Sequence, residues 1–436
     1  MPVLPPAPRA GARAPPPRTP QARPRPPTAP PPRSPRRRAR PARDRRGRPQ
    51  AADRYRPALE CSGPDITDDL RLRRLAPRIV RAIERYLEKL DHEEVLVRRG
   101  RRSGLYTFVA VHSTIRGPSL GGCRMWAYDD SRAALRDVLR LSRAMTYKAA
   151  VADLPLGGGK GVIMTPLLGP LTPERRHAGL LDFADTVEAL GGRYITAEDV
   201  GTSSRDMSVI VERTRYVAGL PRRRGGSGDP SPFTALGVES AIRACCERVF
   251  STDSLRGRSI GVIGLGHVGS RVARRCARAG SRLLLADVDE SKRRLADELG
   301  ARWTTPERAL TATVDVLAPC ALGGFLDDQT VPRLGCAIIA GAANNQLADE
   351  RIADVLAARQ ILWAPDFVVN AGGLINIAEE FSDYDPAAAR RRVRGISDTL
   401  RQIFEAAEAM DATPLTAAME LARRRLAAGP VPVAAT

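Results

Sequence analysis

Aromatic residues make up only 4 % of this chain of 436 residues, and no apolar run reaches the length of a membrane span. Crossing a bilayer takes roughly 20 consecutive apolar residues, so a transmembrane helix is not expected. The N-terminus also lacks the apolar stretch of a secretory signal. The seven cysteines include no C-x-x-C pair and no metal-ligand spacing; Cys245 and Cys246 are merely adjacent. This pattern fits reduced thiols in a cytoplasmic protein, and we expect neither a disulfide scaffold nor a metal site.

Acidic residues are nearly missing from the leading segment. Residues 1–57 hold 16 arginines, only Asp44 and Asp53 as acids, and 18 of the 36 prolines. The segment carries +14 of the net +20, which leaves an ordinary +6 for the other 379 residues. It can bury too little apolar surface to offset its ordering entropy, so disorder or polyproline-like structure is expected. Three readings of it stay open. It is an inert tail or the product of a misassigned start codon, a polyanion-binding arm that touches nucleic acid, or a targeting segment. No methionine lies between Met1 and Met125 to serve as an internal start. Pro30-Pro31-Pro32 argues against the amphipathic helix of a transit peptide, because proline has no N–H and clashes with the preceding turn.

The 43 % hydrophobic content and the length suit two domains with separate cores. Leu72, Leu75, Ile79, Ile83, Leu87 and Leu90 follow helical spacing, with Pro77 as a kink or a start. Strand-like runs follow at Glu94–Arg98 and Tyr106–His112, then a helix over Ser131–Lys148. Thr172 before Pro173 marks a helix start. From Ile260 the rhythm changes to short apolar strands, Ile260–Ile263, Leu283–Ala286, Val314–Leu317 and Ala337–Ala340. Helical stretches Arg271–Ala279, Glu290–Leu299 and Ala348–Ala358 lie between and after them. Strand–helix alternation predicts a parallel sheet covered on both faces.

The first of those strands runs into Gly264-Leu265-Gly266-His267-Val268-Gly269. The pattern G-x-G-x-x-G is weak alone, but here it leaves a strand and opens a helix. Gly264 permits the tight turn, Gly266 admits a pyrophosphate to the backbone, and Gly269 lets helix and strand pack closely. The phosphates then meet the unpaired N–H groups of the helix start. Asp287, 18 residues past Gly269, stands where a carboxylate binds the adenine ribose and repels a 2′-phosphate, which favours NAD over NADP. Lys292, Arg293 and Arg294 could offset that preference by folding back.

Upstream and downstream lie segments richer in glycine, lysine and asparagine than packing requires. They are Gly117-Pro118-Ser119-Leu120-Gly121-Gly122-Cys123-Arg124-Met125, Met145-Thr146-Tyr147-Lys148, Pro155-Leu156-Gly157-Gly158-Gly159-Lys160 and Thr196-Ala197-Glu198-Asp199-Val200-Gly201. Two more follow, Gly341-Ala342-Ala343-Asn344-Asn345-Gln346 and Ala364-Pro365-Asp366-Phe367-Val368-Val369-Asn370-Ala371-Gly372-Gly373. In this order they resemble the glutamate/leucine/phenylalanine/valine dehydrogenase family from about Val95 to Arg424, nearest its branched-chain and phenylalanine members.

The resemblance implies an NAD-dependent oxidative deamination of an L-amino acid to its 2-oxo acid and ammonia. It matches Lys148, in the segment with Met145, to the lysine that grips the substrate carboxylate. Lys160 matches the catalytic lysine and Asp199 the catalytic aspartate. Gly121 and Gly122 match the pair lining the substrate site, and Thr234 and Asn345 match residues near nicotinamide and substrate. Chemically, a fixed cation aims the substrate Cα, and a base must work near neutral pH. Lys160 can act so only if burial beside Lys148 depresses its pKa.

Glutamate-specific members place a lysine before the paired glycines and a hydroxyl residue after the later Asn-Ala-Gly-Gly. Leu120 and Ile377 stand there in this chain, so a second substrate carboxylate would be desolvated unpaired. The inferred side-chain pocket is Leu120, Ala197, Leu374 and Ile377. Branched-chain members commonly carry smaller valines at the last two positions, so this pocket should be narrower. Leucine, valine and isoleucine are expected to outrank phenylalanine; the alternative is a phenylalanine dehydrogenase of the same family, because bulkier pocket residues can rearrange.

The resemblance thus implies an α/β fold of two domains with a cleft between them: an N-terminal α/β catalytic domain over 58–218 and a doubly wound Rossmann domain over 219–376. A helical segment, 377–428, packs back on the first domain, and the protein is expected to be a homo-oligomer. A non-catalytic nucleotide- or nucleic-acid-binding protein is the rival class, and Lys148, Lys160 and Asp199 argue against it.

Overall fold

A computed structural model describes residues 91–321, 323–382 and 384–430. The expected tail over 1–57 and the helix around Leu72–Leu90 lie outside the described residues. Two sheets organise the rest. The first has strand order β1-β2-β4-β3-β5, with β1 Glu94–Arg99, β2 Tyr106–Ser113, β3 Ser119–Ala127, β4 Gly157–Thr165 and β5 Tyr194–Glu198. Strands β1, β2 and β4 pair antiparallel, whereas β3 runs parallel to both β4 and β5.

Helix α1, Ser131–Val151, starts at Asp130, whose side chain accepts from the Ala133 N–H and satisfies one of the orphan donors there. It lies directly on β4. A Cβ on Gly158 would come within 2.1 Å of the Thr146 backbone nitrogen, so glycine is what lets helix and strand meet. Helix α2, Pro173–Glu188, begins at the Thr172 cap with proline in its first turn, and α3, Ser204–Ile210, follows β5.

Helix α4, Ser231–Phe250, leads into the second sheet, all parallel, in the order β11-β10-β9-β6-β7-β8. Its strands are β6 Ser259–Ile263, β7 Arg282–Ala286, β8 Arg302–Thr304, β9 Val314–Pro319, β10 Cys336–Ile339 and β11 Leu362–Trp363. The chain reverses direction across the sheet between β6 and β9, the place where open α/β sheets leave a crevice for ligands. Near-continuous Ile, Val and Leu in these strands fit a sheet covered on both faces. The expected strands agree with the observed ones to within a residue or two. The Glu290–Leu299 stretch is a 3₁₀ turn at Glu290–Lys292 followed by a helix at Arg293–Leu299.

After the second sheet the chain returns to the first. The last described helix, Pro414–Ala427, carries Arg425, whose Nη1 donates to the Val151 carbonyl at 2.6 Å at the C-terminal end of α1. Buried Arg116 completes this brace by donating to the Arg425 carbonyl at 2.6 Å and to Asp153 at 2.6 Å. No helix among the described residues is long and apolar enough to cross a membrane.

Candidate active site

Glycine dictates where the charged groups of the site can stand. In β3, a Cβ on Gly121 would lie 1.7 Å from the Gly159 carbonyl oxygen, and one on Gly122 would lie 2.7 Å from the Cβ of Asp199. No other residue permits these approaches, which draw β3, β4 and the end of β5 together. Lys160, on β4 and buried, then places its Nζ 3.0 Å from Asp199 Oδ2. Asp199 follows β5, where the Thr202 hydroxyl accepts its backbone N–H at 2.9 Å.

From α1, Lys148 enters the same cleft, and its Nζ donates to Asn370 Oδ1 at 2.7 Å. Desolvation lowers its pKa to about 8, helped by the charge of Lys160 and opposed by Asp366 and Asp199. The Lys160 Nζ, in the same cleft, pairs with the Asp199 carboxylate. Burial pushes the Asp199 carboxyl up, but the adjacent Lys160 and Arg124 cations outweigh it and hold the group below its ordinary value. Burial raises the Asp366 carboxyl, although it accepts the Gln346 N–H at 2.8 Å and feels Lys148.

The cleft encloses about 520 Å³, and the expected substrate residues meet in it. Gly121, Gly122, Met145, Lys148, Lys160, Asp199, Thr234 and Asn345 line it, and so do the four aliphatic pocket residues. Leu120, Ala197, Leu374 and Ile377 are all buried. Leu374 and Ile377 sit one turn apart on the short helix Gly372–Ala378, which explains how residues three apart share one wall.

Sequence reasoning gave no part to Asn344, Asp366, Asn370 or Arg124, although each lies inside a motif it singled out. Asn370 bridges the lobes: while accepting from Lys148, it donates to Asn344 Oδ1 at 2.8 Å and to the Ala342 carbonyl at 3.2 Å. Gln346 ties that loop down through the Gly341 and Ala343 carbonyls and accepts the Trp363 indole N–H at 3.1 Å. An amide ahead of a glycine pair was the available signal, but the lysine it meets lies 222 residues away in sequence and only folding brings the two together.

The residues present fit a dinucleotide. Gly264, at the end of β6, has φ +91°, and a Cβ on Gly269 would lie 1.8 Å from the Gly264 carbonyl oxygen. A Cβ on Gly266 would meet nothing within 4 Å, so that residue faces open space beside the helix start at Gly269. Asp287, at the end of β7, accepts N–H donations from Leu265 at 2.5 Å and Asp289 at 2.9 Å, which hold its carboxylate against the loop. Lys292 and Arg294 do fold back, lining a hollow with Gly266, His267 and Arg271.

Comparisons with known proteins agree with this geometry. Residues 92–216 match the profile described as Glu/Leu/Phe/Val dehydrogenase, dimerisation domain, and residues 284–429 match Glutamate/Leucine/Phenylalanine/Valine dehydrogenase. The chain belongs to the glutamate/leucine/phenylalanine/valine dehydrogenase family. It is 41 % identical to leucine dehydrogenase of Thermoactinomyces intermedius over 78 % of this chain and 92 % of that one. It is 39 % identical to phenylalanine dehydrogenase of Caldalkalibacillus thermarum, over 77 % of this chain and 91 % of that one. Among solved structures, L-tryptophan dehydrogenase from Nostoc punctiforme superposes with a TM-score of 0.68 at 38 % identity, covering 79 % of this chain and 98 % of that one. Residues 240–322 also match the D-isomer specific 2-hydroxyacid dehydrogenase, NAD binding domain. This member of the family is an NAD-dependent amino-acid dehydrogenase, with an N-terminal α/β lobe and a Rossmann lobe.

Proposed function

We propose that this dehydrogenase converts a branched-chain L-amino acid, leucine, valine or isoleucine, reversibly to its 2-oxo acid and ammonia. The observation that carries the reading is a cleft that is cationic at Lys148 and purely aliphatic at Leu120, Ala197, Leu374 and Ile377. A substrate carboxylate fits the first end. A second carboxylate at the other end would lose its hydration with no partner.

The roles follow from position. NAD, when bound, accepts the hydride that leaves the substrate Cα. Lys148 pairs with the α-carboxylate and aims the Cα–H bond, while Thr234 and Asn345 border the reacting centre. Two ammonium groups in one dry cleft repel, which favours release of a proton from the pair. The arriving carboxylate holds the charge on Lys148, so the basic role falls to Lys160, which takes a proton from the substrate ammonium, passes it to Asp199 3.0 Å away, and is then free to take one from the attacking water. Asp199 exchanges protons with the departing ammonia. Met145 and the backbone of Gly121 and Gly122 complete the walls.

We assign 58–218 to the substrate lobe, 219–376 to the NAD lobe and 377–428 to the bracing helices. The match of residues 92–216 to a dimerisation domain supports a homo-oligomer, and the scattered cysteines support a cytoplasmic setting. The test is kcat/KM, from NADH absorbance, on leucine, valine, isoleucine, phenylalanine, tryptophan and glutamate. Branched-chain substrates should lead and glutamate should be inert; a clear aromatic preference overturns the ranking.

A further inference from the structure

Arg124 is the least explained charge in the cleft. It lies two residues after Gly122 on β3, so the two share a face of the strand and both point at Asp199. Its Nε donates to Asp199 Oδ2 at 3.0 Å, the oxygen that Lys160 also reaches at 3.0 Å. The other end of the guanidinium is anchored: Nη1 donates to Asp137 Oδ2 on α1 at 2.8 Å. Asp137 is itself fixed by the Tyr128 hydroxyl at 2.7 Å and by Arg140 Nη2 at 3.1 Å. Among the described residues, Asp199 Oδ1 has no hydrogen-bond donor.

We propose that Arg124 is a positioning residue for the dehydrogenation: braced by Asp137, it holds Oδ2 of Asp199 together with Lys160, so that Oδ1 is the oxygen presented to the substrate nitrogen. This rests on the proton-exchange role given to Asp199 above. A carboxylate held by one amine alone can rotate about its Cβ–Cγ bond. A second donor from a rigid planar guanidinium, pinned at its far side, removes that freedom and fixes the plane. A lysine at 124 has no second arm with which to reach Asp137 and Asp199 together.

Arg124 also sets the charge balance of Asp199. Facing this carboxylate are Lys160 from β4, Lys148 from α1, Cys123 from β3 and Tyr194 from β5. Burial pushes the Cys123 thiol and the Tyr194 phenol well above their ordinary values, so both stay neutral. Arg176 and Asp206, near Cys123, pair with each other at 2.9 Å. Removing Arg124 leaves burial to push the Asp199 carboxyl upward with only lysines opposing it.

The experiment follows amino-acid oxidation by the full-length enzyme against pH, with NADH affinity read by fluorescence, for the parent and the variants R124Q, R124K and D137N. R124Q is expected to lose about 10²-fold in kcat, the order seen when a reacting group is misplaced by an ångström. KM and NADH affinity should change little, and the acid limb of the kcat profile should move to higher pH. R124K should recover the limb more than the rate, since it restores charge without the brace. D137N should reduce kcat by a smaller factor in the same way. R124Q with the parent's acid limb, or with its loss confined to KM, overturns the proposal. Should R124Q fail to fold, D137N decides: parental kcat and pH profile in a folded, NADH-binding D137N overturn it equally. A parent that binds NADH but oxidises no amino acid overturns the functional reading, and this inference falls with it.

Discussion

Strand β4 of the substrate lobe, Gly157–Thr165, and strand β6 of the cofactor lobe, Ser259–Ile263, are both interior strands, yet they are built from opposite materials. β6 is short and apolar, and its task ends where the glycine loop begins. β4 opens with three glycines and a buried lysine, all poor strand formers, because its surface is the floor of the active site. A strand that only supports a cofactor can follow β-propensity. A strand that carries the chemistry gives it up for close approach.

Equivalent substitutions in the two sheets should sharpen that contrast. Gly122→Ala puts a Cβ 2.5 Å from the Glu198 carbonyl oxygen and must displace Asp199, so kcat should fall about 10²-fold at unchanged NADH affinity. Gly261→Ala in β6 meets side chains and no backbone, Leu317 at 3.3 Å and Val314 at 3.7 Å; it should cost about 1–3 kcal/mol in unfolding stability and leave kcat near the parent value. An inactive but stable Gly261→Ala enzyme would break the contrast.

The next largest effect concerns Lys148, which is charged below about pH 8 and neutral above it. A bound carboxylate favours the charged form, so 2-oxo acid affinity of the NADH complex should hold below pH 8 and then weaken by about tenfold per pH unit. Calorimetric titration between pH 6.5 and 9.5 checks this, and a flat profile would remove Lys148 as the anchor. The double variant Leu374→Val, Ile377→Val widens the pocket by two methylenes. Relative kcat/KM should then move about tenfold from valine toward leucine and phenylalanine. The smallest effect lies in the cofactor lobe: Asp287→Ser removes one charge opposite a 2′-phosphate and should narrow the NAD-over-NADP binding ratio about fivefold, the order of one solvated charge contact. The basic side chains of Lys292 and Arg294 in the neighbouring hollow work in the same direction.

The same contrast governs what could be read from the sequence. Ile260–Ile263 and Val314–Leu317 announce themselves as strands, because burial on both faces leaves an unbroken apolar run. Ser119–Ala127 and Gly157–Thr165 carry no such signal: their glycines satisfy contacts with α1, β5 and Asp199 that are invisible until the chain has folded. Lys148, Lys160 and Asp199 were legible as motif positions, and the cleft does collect them. The bridge from Lys148 through Asn370 to Asn344 was not legible, nor was the brace from Asp199 through Arg124 to Asp137. Each spans separate elements and obeys no sequence spacing. A sequence shows that Lys148 and Lys160 belong near one another, but not that Asn370 meets the first and Asp199 the second.

The most direct measurement of the central claim, that turnover resides in the glycine-built sheet and not in the cofactor lobe, compares Lys160→Ala with the parent by NADH fluorescence titration and by initial rates on leucine. The account expects NADH affinity within about twofold and a rate at least about 10³-fold lower, the scale of a lost general base. A Lys160→Ala enzyme that oxidises leucine at the parental rate would contradict it.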